Sequence, residues 1–137
     1  MRIPATAMMA AVVAVGGCAQ TAQQRLNRAM QSYYTAAANC AAHKTAGDLK
    51  SNREVAVCVN QAQATYQGPV EAYGDLMQQE MSYRLVLADE IDRKTISKDE
   101  ANLKFAQFRS GLATEVTQRQ AVQAQVASQR AVAAAVR

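Results

Sequence analysis

The sequence predicts an all-α protein, with three or four helices packed as an antiparallel bundle or as extended helical hairpins. Three observations carry that expectation. The composition suits helix: Ala, Gln and Val are abundant, aromatics make up 5%, Trp is absent and only 2 residues are Pro, so strand signals are few. From residue 22 onward, apolar side chains recur every three to four positions, the period of a helix buried on one face. The breaks in that rhythm carry helix punctuation, namely Gly47, then Ser51 with Glu54, Gly68-Pro69, and Ser97 with Glu100. The 137 residues fit one small domain. A domain of this size buries somewhat over 60% of its unfolded surface, and alanine keeps its core shallow because each buried methyl contributes little. A covalent brace would therefore be useful.

The first segment stands apart from this helical body. Met1-Arg2 supplies positive charge, and residues 3–15, IPATAMMAAVVAV, are almost wholly apolar or small. That run is short of the roughly 20 apolar residues a spanning helix needs, but it fits the apolar region of a secretory signal. A buried N-terminal helix is the competing reading. The run ends in VGGC, with Val15, Gly16, Gly17 and Cys18, which resembles the lipobox of bacterial lipoproteins. The resemblance implies that the Cys18 thiol receives a diacylglycerol, that cleavage falls just before it, and that the new amine is acylated. Residues 1–17 would then be a cleaved signal peptide and residues 18–137 a helical envelope domain. Ala19 follows Cys18 where inner-membrane members often carry Asp, which implies the outer membrane, facing the periplasm. Val instead of Leu opens the box, and a single Arg precedes it. At about 0.8 kcal/mol per buried CH2, two or more acyl chains anchor stably. This covalent lipid on Cys18 is the only non-protein group expected, and no cofactor is foreseen.

In the first helix, Ala22, Leu26, Ala29, Met30, Tyr33, Ala37, Cys40 and Ala41 share one stripe. The stretch KTAGDLK interrupts it, with Gly47 as a stop signal. Ser51 and Glu54 then have capping-box spacing, and Val55, Cys58, Val59, Ala62 and Tyr66 form the second stripe. Helices joined so closely run antiparallel. Cys40 falls about a turn before the loop and Cys58 about two turns after it, both facing inward, which makes bridging geometry plausible. With Cys18 lipidated, the two are left as an even pair in an oxidising compartment, where such cysteines usually bridge. A Cys40–Cys58 disulfide would add roughly 3 kcal/mol; two free buried thiols are the competing reading. The chain has no C-x-x-C and a single His, too little for a redox pair or for zinc with its four ligands.

Gly68-Pro69 suits the end of one helix and the first turn of the next. The third helix is expected over about residues 69–93. Val70, Tyr73, Leu76, Met77, Tyr83, Leu87 and Ile91 lie on its apolar face, with Asp75, Glu80, Arg84 and Asp89 interspersed. Residues 89–100, DEIDRKTISKDE, resemble half of an EF-hand loop, with Asp89, Ser97 and Glu100 at ligand positions. Ile91 and Arg93 spoil two further ligand positions, and Lys94 stands where the sharp turn wants Gly. A helix corner is expected instead, with Ser97 and Glu100 as a capping box and Asp99 and Glu100 in a first turn that favours anions; no metal is foreseen.

The last helix is expected from Lys98, with Leu103, Phe105, Phe108, Leu112 and Val116 on its core side. No acidic residue follows Glu115, and the periodicity fades, so residues 117–137 read as a protruding or fraying helical tail. On a helical wheel Arg119, Arg130 and Arg137 fall within about 20 degrees of one another, a candidate contact with anionic lipid or cell wall. A solvated face is the competing reading. Residues 83–108 also resemble helix-turn-helix segments of small bacterial envelope proteins, a likeness that implies no activity.

No catalytic constellation stands out. His43 ends a helix, where it can reach the last carbonyls. Cys40, three residues earlier, has no orienting group or oxyanion hole beside the imidazole. Nothing resembles a phosphate loop. Tyr33, Tyr66, Tyr73 and Tyr83 sit on or beside apolar stripes, as core tyrosines do. The net charge is +4, but the basic residues are scattered and form no nucleic-acid arm.

With the lipobox resemblance, the expectation is a non-enzymatic, membrane-anchored envelope lipoprotein. It would act as a structural or interaction protein, binding another envelope protein or peptidoglycan. Phe105, Phe108 and Leu112 are the candidate partner face or dimer seam. The alternatives are a pilotin-like chaperone for an outer-membrane secretion component and a small inhibitor of an envelope enzyme. A covalent wall link like that of the major outer-membrane lipoprotein would use a terminal Lys where this chain has Arg137.

Overall fold

The structure is a computed structural model and describes residues 21–135. The expected signal segment, the lipobox with Cys18, and Arg137 lie outside the described residues. Four helices follow one another: α1 Ala22–Ala46, α2 Asn52–Tyr66, α3 Gly74–Asp92 and α4 Lys98–Ala135. A short 3-10 turn, Gly68–Val70, stands between α2 and α3. The fold is all-α, with no strand among the described residues.

Local chemistry sets the helix ends. At the start of α1, Thr21 Oγ1 accepts from the Gln24 N–H and Gln24 Oε1 accepts from the Thr21 N–H, a capping box. At its end Gly47 adopts φ 85, the left-handed region that glycine enters without penalty. The Asp48 N–H then reaches back to the His43 carbonyl at 2.9 Å, as in a Schellman stop. Ser51 and Glu54 form the expected capping box on α2. The backbone N–H groups of Lys50 and Ser51, both donated to Glu54, hold its carboxyl below the usual carboxylate range.

α1 runs on through Lys44, Thr45 and Ala46, so the loop is shorter than the sequence suggested. The expected offset between the cysteines vanishes with it. Cys40 stands as far before the end of α1 as Cys58 stands after the start of α2, and the two are joined by a disulfide with Cα atoms 5.9 Å apart.

Each helix packs chiefly on its neighbour in sequence, α1 on α2, α2 on α3 and α3 on α4, and long-range contacts fix every pair as antiparallel. Gln67 Nε2 donates to Met30 Sδ. The start of α2 meets the end of α3, where Asp92 accepts from the backbone N–H groups of Asn52 and Arg53, both at 2.9 Å, and from Asn52 Nδ2. The start of α3 meets the middle of α4, where Arg119 bonds Asp75. The molecule therefore has two poles. One gathers the loop 47–51, the corner 93–97 and the helix ends beside them. The other carries the beginning of α1 and the far half of α4.

Three sequence expectations need correction. α3 begins at Gly74, not near residue 69. Glu71 is already extended, and Glu71 Oε1 accepts from the Tyr73 N–H, so the chain straightens before the helix. Val70 consequently lies exposed, off the α3 face. Leu103 is 59% exposed because the buried side of α4 follows Ala101, Phe105, Phe108 and Leu112, and a residue two positions after Ala101 points the opposite way. His43 Nδ1 pairs with Asp48 at 2.9 Å instead of the helix carbonyls, which Gly47, Asp48 and Leu49 already occupy.

The core is thin. Its buried apolar side chains are Cys40, Leu76, Met81, Leu87 and the four alanines 56, 62, 88 and 101. α4 continues unbroken to Ala135, and every residue from 120 to 135 is exposed, so this part of the helix projects beyond the body. Residues 22–28 of α1 are exposed as well and overhang the same pole. Among the described residues no helix is long and apolar enough to cross a membrane.

Candidate functional site

All four helices contribute to one cleft of about 580 Å³. α2 and α3 supply its floor with Val55, Val59, Leu87 and Ile91, while α1 and α4 stand on either side with Ala41 and Phe105. The charged residues lining it are all cations: Lys44 from α1, Arg84 from α3 and Lys98 from α4.

Arg84 is held by three side-chain partners. Its Nη1 donates to Gln63 Oε1 at 2.9 Å and to Asn60 Oδ1, and its Nη2 meets Glu80 Oε1 at 3.0 Å. The guanidinium also lies over the Phe105 ring, 5.1 Å from its centroid, within cation–π range. Glu80 in turn faces Arg109 at 3.7 Å, and Asn60 Nδ2 donates to the Met81 carbonyl. One side chain thus ties α3 to α2 and to α4. The cluster is largely shielded, with Arg84 and Glu80 side chains 13% and 16% exposed. Burial pulls the guanidinium down from its usual value, partly offset by Tyr33 and Glu80; an arginine this paired remains a cation. Burial likewise pushes the Tyr33 phenol up.

The rim of the cleft is set by helix ends. Lys44 lies in the last turn of α1, and its Nζ donates to the Lys50 carbonyl at 2.6 Å. Lys98 opens α4, which Ser97 caps by accepting from the Glu100 N–H. The carboxylates of the corner diverge instead of converging. Asp89 pairs with Arg53, Asp92 holds the start of α2, and Glu100 pairs with Lys104. Among the described residues no group of three metal-ligating side chains comes together.

The sequence-derived candidates fall in different places. Cys40 and Cys58 form the bridge. Phe105 forms a wall of the cleft, Phe108 stacks against Tyr83 with centroids 4.4 Å apart, and Leu112 is half-buried further along the same face. α3 thus meets Phe108 through Tyr83 and Phe105 through Arg84. Of the arginines, Arg119 and Arg130 lie within the described residues and are not equivalent. Arg119 pairs with Asp75 at 2.8 Å and Glu115 at 2.8 Å and lies over Tyr73. Those carboxylates raise its pKa further and lock α4 to the start of α3. Arg130 is exposed on the projecting part of the helix. Sequence reading missed the Arg84 cluster, although Glu80 and Arg84 have the (i, i+4) spacing of a helical ion pair and Asn60 and Gln63 have (i, i+3) spacing on α2.

These features define an up-and-down helical protein with an apolar cleft rimmed by cations. No family model, no curated protein and no solved structure matches the chain.

Proposed function

We propose that the chain is a lipid-anchored protein of the bacterial envelope that acts by binding, without catalysis, and that the cleft is its binding surface. The anchor is Cys18, by the lipobox resemblance, with the outer membrane as the compartment boundary and the periplasm as the working space. The observation that carries the binding role is the cleft itself, lined by four helices over an apolar floor from α2 and α3, with Lys44, Arg84 and Lys98 along it. It lies at the pole opposite the beginning of α1, so a tether at Cys18 leaves it facing away from the membrane. The expected partner is another envelope protein or peptidoglycan.

Two measurements test this reading. Wild-type protein should fractionate with membranes, with a mass lacking residues 1–17 and carrying acyl chains, whereas Cys18→Ser should stay soluble. An unprocessed, water-soluble wild type removes the anchor. A photo-crosslinking residue placed at Asn102 should give a discrete adduct in the native envelope, and one at the exposed Gln107 should not. Equal labelling from both positions removes the cleft as the binding surface. A secretin subunit in the adduct would point to a pilotin-like chaperone, and an envelope enzyme to an inhibitor.

A further inference from the structure

We infer that the cleft takes a compact, soluble amphipathic anion: an apolar body about two helical turns long that carries a carboxylate, sulfonate or phosphate. This rests on reading the cleft as a binding surface and names the chemistry of its occupant. Size comes first. The lining runs over two turns on each of α2, α3 and α4, about 10 Å at 1.5 Å per residue. The volume of about 580 Å³ lies within the range of pockets that hold small molecules.

Charge comes second. Three cations and no carboxylate line the cleft. Arg84 is already satisfied by Glu80, Gln63 and Asn60, so selectivity falls to the two lysines. Lys44 spends one donor on the Lys50 carbonyl, and an ammonium has three. Asp92 and Glu54 both stand near Lys44, but Asp92 accepts from Asn52 and Arg53 and Glu54 from the Lys50 and Ser51 N–H groups. Among the described residues no carboxylate forms an ion pair with Lys44 or Lys98. Lys98 opens α4, whose first turn also holds Asp99 and Glu100, and Glu100 is paired with Lys104. A bound anion would pair with Lys44 and Lys98 while its apolar body covered Val55, Val59, Leu87 and Ile91. The position of the cleft, at the pole away from the start of α1, points to a soluble ligand and away from a bilayer headgroup.

The test is a titration of full-length Cys18→Ser protein with sodium octanoate, followed through the methyl NMR signals of Val55, Val59, Leu87 and Ile91. Saturable shifts confined to that set are expected, with none from octylammonium. Replacing both lysines, Lys44→Glu with Lys98→Glu, should weaken octanoate about tenfold, and the neutral pair Lys44→Gln with Lys98→Gln about threefold, as lost and reversed ion pairs of modest strength do. The same spectra report whether each variant is folded. Phosphatidylglycerol vesicles alone should leave the four signals unmoved. Absence of saturation, equal binding of octylammonium, unchanged affinity in the folded double variants, or shifts caused by the vesicles would each overturn the proposal. The crosslink at Asn102 is independent of all these, so a cleft that captures a protein but not octanoate would sink this inference and leave the binding role standing.

Discussion

Replacing Arg84 with Ala should cost the fold far more than a typical surface charge would. The substitution leaves Gln63 Oε1, on a residue only 3% exposed, and Asn60 Oδ1 without their donor. Glu80 keeps only Arg109 at 3.7 Å. An unsatisfied buried acceptor costs about 1–3 kcal/mol, and breaking one side of a buried ion pair about 3–5 kcal/mol. The two penalties overlap here, and Glu80 retains a partner, so the expected loss is about 4 kcal/mol. Domains of this kind hold about 5–15 kcal/mol in total, so the variant should still fold at room temperature. Urea denaturation followed by far-ultraviolet circular dichroism reads the loss as a lower midpoint at unchanged slope. The companion variant, Arg84→Met with Glu80→Leu, removes both charges and should recover the ion-pair part of the loss only, because Gln63 Oε1 and Asn60 Oδ1 still lack a donor. A loss under about 1 kcal/mol for Arg84→Ala, or a double variant worse than the sum of its parts, would show that water supports the cluster and refute the reasoning.

Three further outcomes follow from the same contacts. Replacing Cys40 and Cys58 together by Ala removes a link across 18 residues and should lower stability by about 3 kcal/mol, read as a fall in Tm of about 10 °C; a fall under about 3 °C would mean that helix packing alone holds the hairpin. Asp92→Ala should cost about 1 kcal/mol at neutral pH through loss of the cap on α2. Desolvation acts to raise the Asp92 pKa, but the N–H groups of Arg53 and Asn52 outweigh it and hold the carboxyl below its usual value. Its contribution is therefore present above the unfolded value near 3.9 and lost as pH falls through the folded one; wild-type stability should drop more steeply below about pH 4 than that of Asp92→Ala. Deleting residues 124–137 should leave the urea midpoint unchanged while reducing the helical signal, because residues 124–135 are all exposed; a lowered midpoint would show that the tail packs on the body.

Much of the fold is legible because its signals are local. A capping box is written in four consecutive residues, so Ser51 and Glu54 announce α2; at α4 only half of the expected box forms, Ser97 Oγ accepting from the Glu100 N–H while the Glu100 carboxylate turns to Lys104. Gly47 marks the stop of α1 because only the left-handed region satisfies the last carbonyls there. The bridge follows from two inward cysteines on adjacent helices. What could not be read depends on contacts between distant segments. Asp92 caps a helix forty positions away, and nothing in its neighbourhood says so. In sequence Arg84 is one charge among several along α3, and only the approach of Asn60, Gln63 and Phe105 makes it a hub. α3 starts later than the sequence implies because Pro69 suits a 3-10 turn as well as an α-helical one. The cleft is a property of four surfaces together and has no signature in any one of them.

The alanines of the core have a consequence for how this chain tolerates change. Ala56, Ala88 and Ala101 are buried, and with Ala41 they also line the cleft. Each is a place where a larger side chain would have closed the gap between the helices. The cleft is thus an economy of side-chain volume, an opening left by methyl groups where leucines would have met. Trimming such positions to glycine removes little, while enlarging them must either fill the opening or push the helix axes apart. A larger side chain at any of the four therefore acts on the cleft and on the helix packing together.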